Sequence, residues 1–342
     1  MDGITRRRFV QGGLTAGGLA LLPRLARAGK RQIPAPGAPE GFEPAYLALE
    51  RSGELKHRER ELWAQMSNCR LCPRHSEVDR IKGQTDVCKS TARLKISSAF
   101  PHRGEEAPLS GRGGSGTIFF SRCSLLCVFC QNWEIAHRGD GKYHSHEDLA
   151  GMMLKLQALG CHNINLVTPT HVVPHFVRAL RIAIPYGLKL PLVYNTGGYD
   201  DVETLKQLDG VVDIYLPDYK FLGREEAGRY LYQAEDYPEK AGAALAEMHR
   251  QVGDLKTDGR GIARRGVMLR HLVMPNNQAR TDLFVKWVAR ELSASTYVNL
   301  MAQYRPCHKA HDYPLISRAL ERKEFMQARK WAEAAGLTRI ST

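Results

Sequence analysis

The 342-residue chain predicts an α/β protein: an open parallel sheet arranged as a partial (β/α)6 barrel, with a small N-terminal cysteine-containing segment. Three observations carry this reading. From residue 117 onward, short apolar runs alternate with stretches of helical periodicity. There are six such units, and β/α repetition demands a parallel sheet with right-handed crossovers. Six units are fewer than a closed eight-stranded barrel needs.

In chain order, "MDGITRRRFVQGGLTAGGLALLPRLARAGK" comes first. Thr5-Arg6-Arg7-Arg8-Phe9-Val10 resembles a twin-arginine export signal, an apolar stretch runs from Val10 to Leu22, and Ala26-Arg27-Ala28 is an A-x-A cleavage pattern. The expectation is a signal peptide over 1–28 and a periplasmic protein, the alternative being a cytoplasmic one with a basic N-terminus. Residues 29–50 read as a linker, because "GKRQIPAPGAPEGFEP" (29–44) is rich in Pro and Gly. Residues 51–100 form a helical and cysteine-cluster segment, with a polar helix over about 52–67. The barrel and its C-terminal helix occupy 101–342, opening on the Gly-rich loop "PHRGEEAPLSGRGGSG" (101–116).

The expected strands are "TIFFS" (117–121), "NINLVTP" (163–169), "PLVYNT" (191–196), "DIYLPD" (213–218), "GVMLRHLVM" (266–274) and "YVNLMAQ" (297–303). Helices fill the gaps at 146–160, 174–184, 201–208 and 281–293, and a last one, 317–337, packs outside. No run beyond the N-terminus approaches 18 consecutive apolar residues, so no other membrane segment is expected.

The chain carries +13, of which five Arg and one Asp lie in 1–28; the remainder holds 44 basic and 35 acidic residues, or +9. No basic helix with interleaved aromatics accompanies the charge, so no nucleic-acid partner is expected. The charge reads as a solvated surface, with some lining an anion-binding mouth.

Six of the eight cysteines fall into two clusters, a pattern of metal ligands and not of a disulfide scaffold. Cys123-xxx-Cys127-xx-Cys130 suits three corners of an iron–sulfur cubane, since thiolates are soft ligands for iron. The fourth iron, lacking a protein ligand, is free for chemistry on a bound molecule. The first cluster offers Cys69, Cys72 and Cys88, with His75 as a fourth ligand: a candidate second site for zinc or another iron–sulfur cluster, with a disulfide as the rival. Cys161 reads as a small core residue, and Cys307, beside His308 at a strand end, as a candidate radical relay or hydrogen donor.

The CxxxCxxC spacing, with Phe129 before the last cysteine, resembles the radical S-adenosyl-L-methionine (SAM) superfamily. More closely, "SGRGGSGTIFFSRCSLLCVFCQNWEIAH" resembles proteins related to pyruvate formate-lyase activating enzyme. Further blocks over roughly 45–337 share the likeness: "NINLVTPTHVVP", "YNTGGYD", "VDIYLPDYKF", "LRHLVMPNN" and "MAQYRP". The resemblance implies a [4Fe–4S] cluster that chelates SAM and reduces its sulfonium, releasing methionine and a 5′-deoxyadenosyl radical that abstracts hydrogen. It implies a reductant, either a flavodoxin- or ferredoxin-like carrier or a membrane donor. The substrate is a small molecule or a protein such as a glycyl-radical enzyme. Where much of the superfamily has a Gly-Gly-Glu-like turn, this chain has "LVTPTH" (166–171), so Thr168 and Thr170 stand in for it or merely cap a helix. Ser76 stands where related proteins have a further cysteine.

Strand ends supply the remaining candidates: Asn195, Asp218 with Lys220, Arg270 with His271, and Gln303 with Tyr304 and Arg305. Glu105 and Glu106 either touch the open mouth or solvate a loop. A second functional class is an iron–sulfur electron-transfer protein, and a third a zinc-binding protein, neither of which cleaves SAM.

Overall fold

The computed structural model of the chain describes residues 32–342. The signal-peptide reading falls outside the described residues. Ten strands form one sheet: β1 (Lys95–His102), β2 (Ser115–Phe120), β3 (Lys142–Tyr143), β4 (Ile164–Val167), β5 (Leu192–Thr196), β6 (Ile214–Pro217), β7 (Lys256–Thr257), β8 (Ala263–Leu272), β9 (Tyr297–Met301) and β10 (Ile340–Ser341). Their order is β10-β9-β8-β6-β5-β4-β2-β1-β3, with β7 pairing β8 off this path. From β2 to β10 along that path the pairs are all parallel, and the antiparallel β1 and β3 form the far edge. The sheet is open and mostly parallel.

Ten α-helices accompany it among the described residues: α1 (Ala45–Ser52), α2 (Glu54–Ala64), α3 (Ala107–Ser110), α4 (His146–Ala158), α5 (Val173–Ala183), α6 (Val202–Lys206), α7 (Arg224–Tyr230), α8 (Tyr237–Val252), α9 (Thr281–Glu291) and α10 (Arg322–Ala334). The expected strands and the helices between them are present, with ends shifted by a few residues in either direction. None of the helices is long and apolar enough to cross a membrane.

Strand alternation sends side chains to two different cores. Leu192, Tyr194, Tyr215, Val267 and Leu269 join the large core with the buried faces of α4, α5, α8 and α9. Val193, Ile214, Leu216 and Met268 meet a smaller core, closed by Leu109 of α3 and by Leu255. Parallel strands that follow chain order keep the crossover helices on one face, which leaves the other face to α3 alone. At the C-terminal ends of β5, β6, β8 and β9 that second face turns polar.

The segment read as a linker is docked along the N-terminal ends of the strands. The Ile33 N–H donates to Tyr186 O at 2.8 Å, Gln157 Nε2 to Ile33 O at 2.9 Å, and His162 Nδ1 lies 2.7 Å from Gly37 O. A Cβ at Gly37 would come within 2.1 Å of Cys161 O, so glycine is required for this approach. Residues 51–100 are likewise no separate body: α2 packs on α5, and β1 belongs to the sheet.

Candidate metal centre

Cys123, Cys127 and Cys130 lie on the loop that leaves β2 at the C-terminal edge of the sheet, where α/β proteins gather their chemistry. Positive φ at Arg122 (83°) and Leu126 (47°) curls the loop. Its backbone is held from four directions. The Val128 N–H donates to Tyr230 O, the Tyr232 N–H to Leu125 O, and the Lys309 N–H to Val128 O, at 2.9–3.0 Å. The His137 ring nitrogen lies 3.1 Å from Cys127 O. Arg74 donates to Ser124 O at 2.7 Å, to Gln233 O at 3.0 Å and to Tyr232 O. Phe129 is buried edge-on against Phe221, with ring centroids 5.8 Å apart.

All three cysteines are free thiols; Cys127 is buried, and Cys123 and Cys130 are half-buried. Burial raises the Cys127 thiol far above its usual range, partly offset by the Lys220 ammonium. Burial and the adjacent Cys123 push Cys130 up to about 12. Close-set thiols in such surroundings give up their protons to a metal and not to water. Among the described residues, no three His, Cys, Asp or Glu side chains converge on a position for one metal ion. Three cysteine sulfurs on one loop are the soft donors that an iron–sulfur cluster takes.

Beside the loop, the sequence candidates Asn195, Asp218, Lys220 and Arg270 form one network. Arg270 donates through Nε to Asp218 Oδ1 (2.8 Å) and through Nη2 to Asn195 Oδ1 (2.6 Å). Lys220 Nζ donates to Asp218 Oδ2 at 2.5 Å. Glu105, from the loop ahead of α3, lies 3.7 Å from Arg270, and Asn299 of β9 donates to Glu106 at 2.9 Å. Burial alone would raise the Asp218 carboxyl, but Arg270 and Lys220 hold it below the usual carboxylate range. Burial pushes Glu105 up to about 7 against the pull of Arg270, with Glu106 adding to the rise. Gly198, at φ 83°, permits a close turn here, since a Cβ would meet Asp218 O at 2.3 Å.

Other candidates lie elsewhere. Thr168 is at the β4 end, partly exposed, at φ 58°, its N–H donating to Asn195 O (2.8 Å). That conformation is strained for a β-branched residue, a feature that clusters at functional sites. Thr170 is buried, its hydroxyl donating to Asp200 (2.7 Å) alongside those of Thr196 and Tyr194, so its role is to join strand ends. His271 faces the helices, stacked on Phe284 at 4.0 Å and bonded to Tyr219 O and Thr281. Tyr304 is tied to Ile316 O, while Gln303 and Arg305 are exposed and outside the network. Cys161 is buried and Cys307 half-buried.

In the first cluster, Cys69, Cys72 and Cys88 are also free thiols. Burial, with Cys88 and Cys69 alongside, pushes Cys72 up to about 12. His75 does not join them: its Nε2 lies 2.7 Å from Asp201 Oδ2 and its Nδ1 3.5 Å from Arg70. Sequence reasoning missed Arg74, Arg80 and Asn299. Only Arg74, two residues after Cys72, had a local cue.

No family model matches the chain. Over 286 residues it is 32% identical to the uncharacterized protein MJ0674 of Methanocaldococcus jannaschii, an alignment covering 80% of this chain and 76% of that protein. The fold and site thus define an α/β protein with a thiol loop at its strand ends. Within that class, the chain belongs to the family of this archaeal protein.

Proposed function

We propose that the chain is a radical SAM enzyme, resembling the relatives of pyruvate formate-lyase activating enzyme, with a [4Fe–4S] cluster on Cys123, Cys127 and Cys130. The observation that carries the reading is the meeting of these three thiols with half-buried Lys220 and Arg270 at one strand edge. We read the sheet as a partial (β/α)6 barrel, because its parallel strands follow chain order and its helices share one core.

When bound, the cluster supplies the one electron that cleaves SAM to methionine and a 5′-deoxyadenosyl radical. The chain's own share is binding, orientation and exclusion of water. Arg270 and Lys220 carry the positive charge that a SAM carboxylate needs. Asp218 keeps both cations charged and fixed. Backbone carbonyls at the strained Thr168 turn and the Asn195 side chain offer acceptors for the SAM ammonium. Phe129 and Phe221 shield the loop from water.

The substrate remains a small molecule or a partner protein, and the electron comes from a flavodoxin- or ferredoxin-like carrier or a membrane donor. Export by the twin-arginine route stays part of the proposal. Anaerobic reconstitution tests it: a [4Fe–4S] spectrum should change on adding SAM, and reduction should release 5′-deoxyadenosine. A cluster indifferent to SAM would make this an electron-transfer protein. Uptake of zinc alone, with no iron at the three cysteines, would leave a zinc-binding protein.

A further inference from the structure

We propose that Cys69, Cys72 and Cys88 hold a second polynuclear iron–sulfur cluster, whose thiolate charge balances the buried guanidinium of Arg80. This site is separate from the SAM chemistry and does not depend on it.

The argument starts from Arg80. It is the largest fully buried side chain of the described residues, 1% exposed. Its donors are occupied: Nε to Ser90 O at 3.1 Å, Nη1 to His171 O at 2.8 Å and Nη2 to Thr91 O at 3.0 Å. Those carbonyls satisfy N–H groups but bring no net charge. Among the described residues no carboxylate lies within ion-pair distance of Arg80, whereas the half-buried cations Arg270 and Lys220 each have one. An arginine cannot escape the cost of burial by losing its proton, and an unpaired buried charge is among the costliest features a fold can carry. Beside Arg80 stands one group able to become an anion: Cys69 Sγ, 3.9 Å from Nη1.

Cys69 does not stand alone. Cys72 lies within electrostatic reach of both Cys69 and Cys88. A tight turn carries the first two, with the Cys69 N–H donating to Val78 O (3.1 Å), the Glu77 N–H to Cys69 O (3.0 Å), and the His75 N–H to Cys72 O (3.1 Å). With His75 engaged by Asp201 and Ser76 in place of a thiol, three protein ligands remain. Three protein ligands fall one short of the four that a closed structural zinc takes, whereas three thiolates can hold three corners of a cluster, and they supply the negative charge that Arg80 lacks.

Two residues beyond Cys72, Arg74 reaches the carbonyl of Ser124, next to Cys123. The second site is thereby tied directly to the loop of the first.

Iron, sulfide and zinc are to be counted in the full-length protein after anaerobic reconstitution with iron and sulfide. Wild type should hold about eight iron per chain, at about four per cubane. The Cys69→Ala/Cys72→Ala/Cys88→Ala variant should hold about half of that, as should Cys123→Ala/Cys127→Ala/Cys130→Ala. Arg80→Met, with circular dichroism to check folding, should lose the same half, and no more in the background of the first triple variant. Wild-type iron content in that first triple variant overturns the proposal. So does one zinc per chain alongside about four iron, or a metal-free disulfide among Cys69, Cys72 and Cys88. Full iron loading with no SAM cleavage would sink the radical reading and leave this one standing.

Discussion

Replacing Arg270 by Gln tests the polar network where stability and binding meet. Arg270 holds Asp218 at 2.8 Å and Asn195 at 2.6 Å, and it lies 3.7 Å from Glu105. Removing one side of a buried ion pair costs about 3–5 kcal/mol. Lys220 still holds Asp218 in the variant, so the lower end, about 3 kcal/mol, is expected. At about 2 °C per kcal/mol for a chain of this size, Tm should fall by about 6 °C. A charge-assisted hydrogen bond contributes about 1.5–3 kcal/mol, so the Kd for SAM should rise roughly 10- to 150-fold. Thermal unfolding followed by circular dichroism reads the first effect, and anaerobic calorimetric titration with SAM the second. In the Arg270→Gln/Asp218→Asn double variant stability should fall further, because Lys220 then loses its Asp218 partner, and affinity should not recover. A Tm within about 1 °C of wild type would refute the network's energetics. Wild-type affinity for SAM would remove Arg270 from the site.

Glu105 sets a pH dependence. Its folded value, about 7, is above the ordinary carboxylate value near ~4.3, so between the two the native state binds more protons than the unfolded state. Its contribution therefore lowers stability as pH rises from about 4.5 to about 7, and Glu105→Gln should flatten that slope in chemical denaturation. A slope unchanged in the variant would exclude Glu105 as its source. His271→Ala should destabilise by roughly 2–4 kcal/mol through lost stacking and two lost hydrogen bonds, leaving SAM affinity intact; a changed affinity would return His271 to the pocket. Gln303→Ala, at an exposed position, should shift stability by no more than about 0.5 kcal/mol and binding not at all, as the same two assays will show.

The parallel part of the fold was legible because its strands are continuous apolar runs, the mark of strands covered on both faces. What escaped detection lacks that mark. β1 reads "KISSAFPH": two serines and a proline on a half-buried strand near the sheet edge, where packing against β2 and not propensity decides the outcome. α8 buries small and polar residues, among them Ala241, Gly242, Ala244, Glu247 and Gln251, so its buried face does not read as a run of large apolar side chains. Its boundaries were visible in Pro238 and Gly253. The 29–50 segment reads as a linker from composition, yet Gly37 packs closely against the backbone at Cys161, which composition cannot distinguish from freedom.

The two thiol clusters show where sequence reading ends. The central motif is local, eight residues on one loop, and its spacing alone nominates the three thiols as metal ligands. Its surroundings are not local: Arg270 meets Asn195 and Asp218 across two strands, and Glu105 arrives from a loop 165 positions earlier. The sequence could nominate these residues only as strand ends. For the first cluster the decisive partner is Arg80, and nothing in "EVDRIKG" marks that arginine as buried. A cation in a polar, charged stretch reads as surface. Only the fold reveals that it is enclosed with no carboxylate in ion-pair distance among the described residues, and that a cysteine sulfur stands beside it. The apparent defect at Ser76 then acquires a physical context. The cluster is short of a fourth thiol, but one of the three it keeps, Cys69, stands beside an enclosed positive charge.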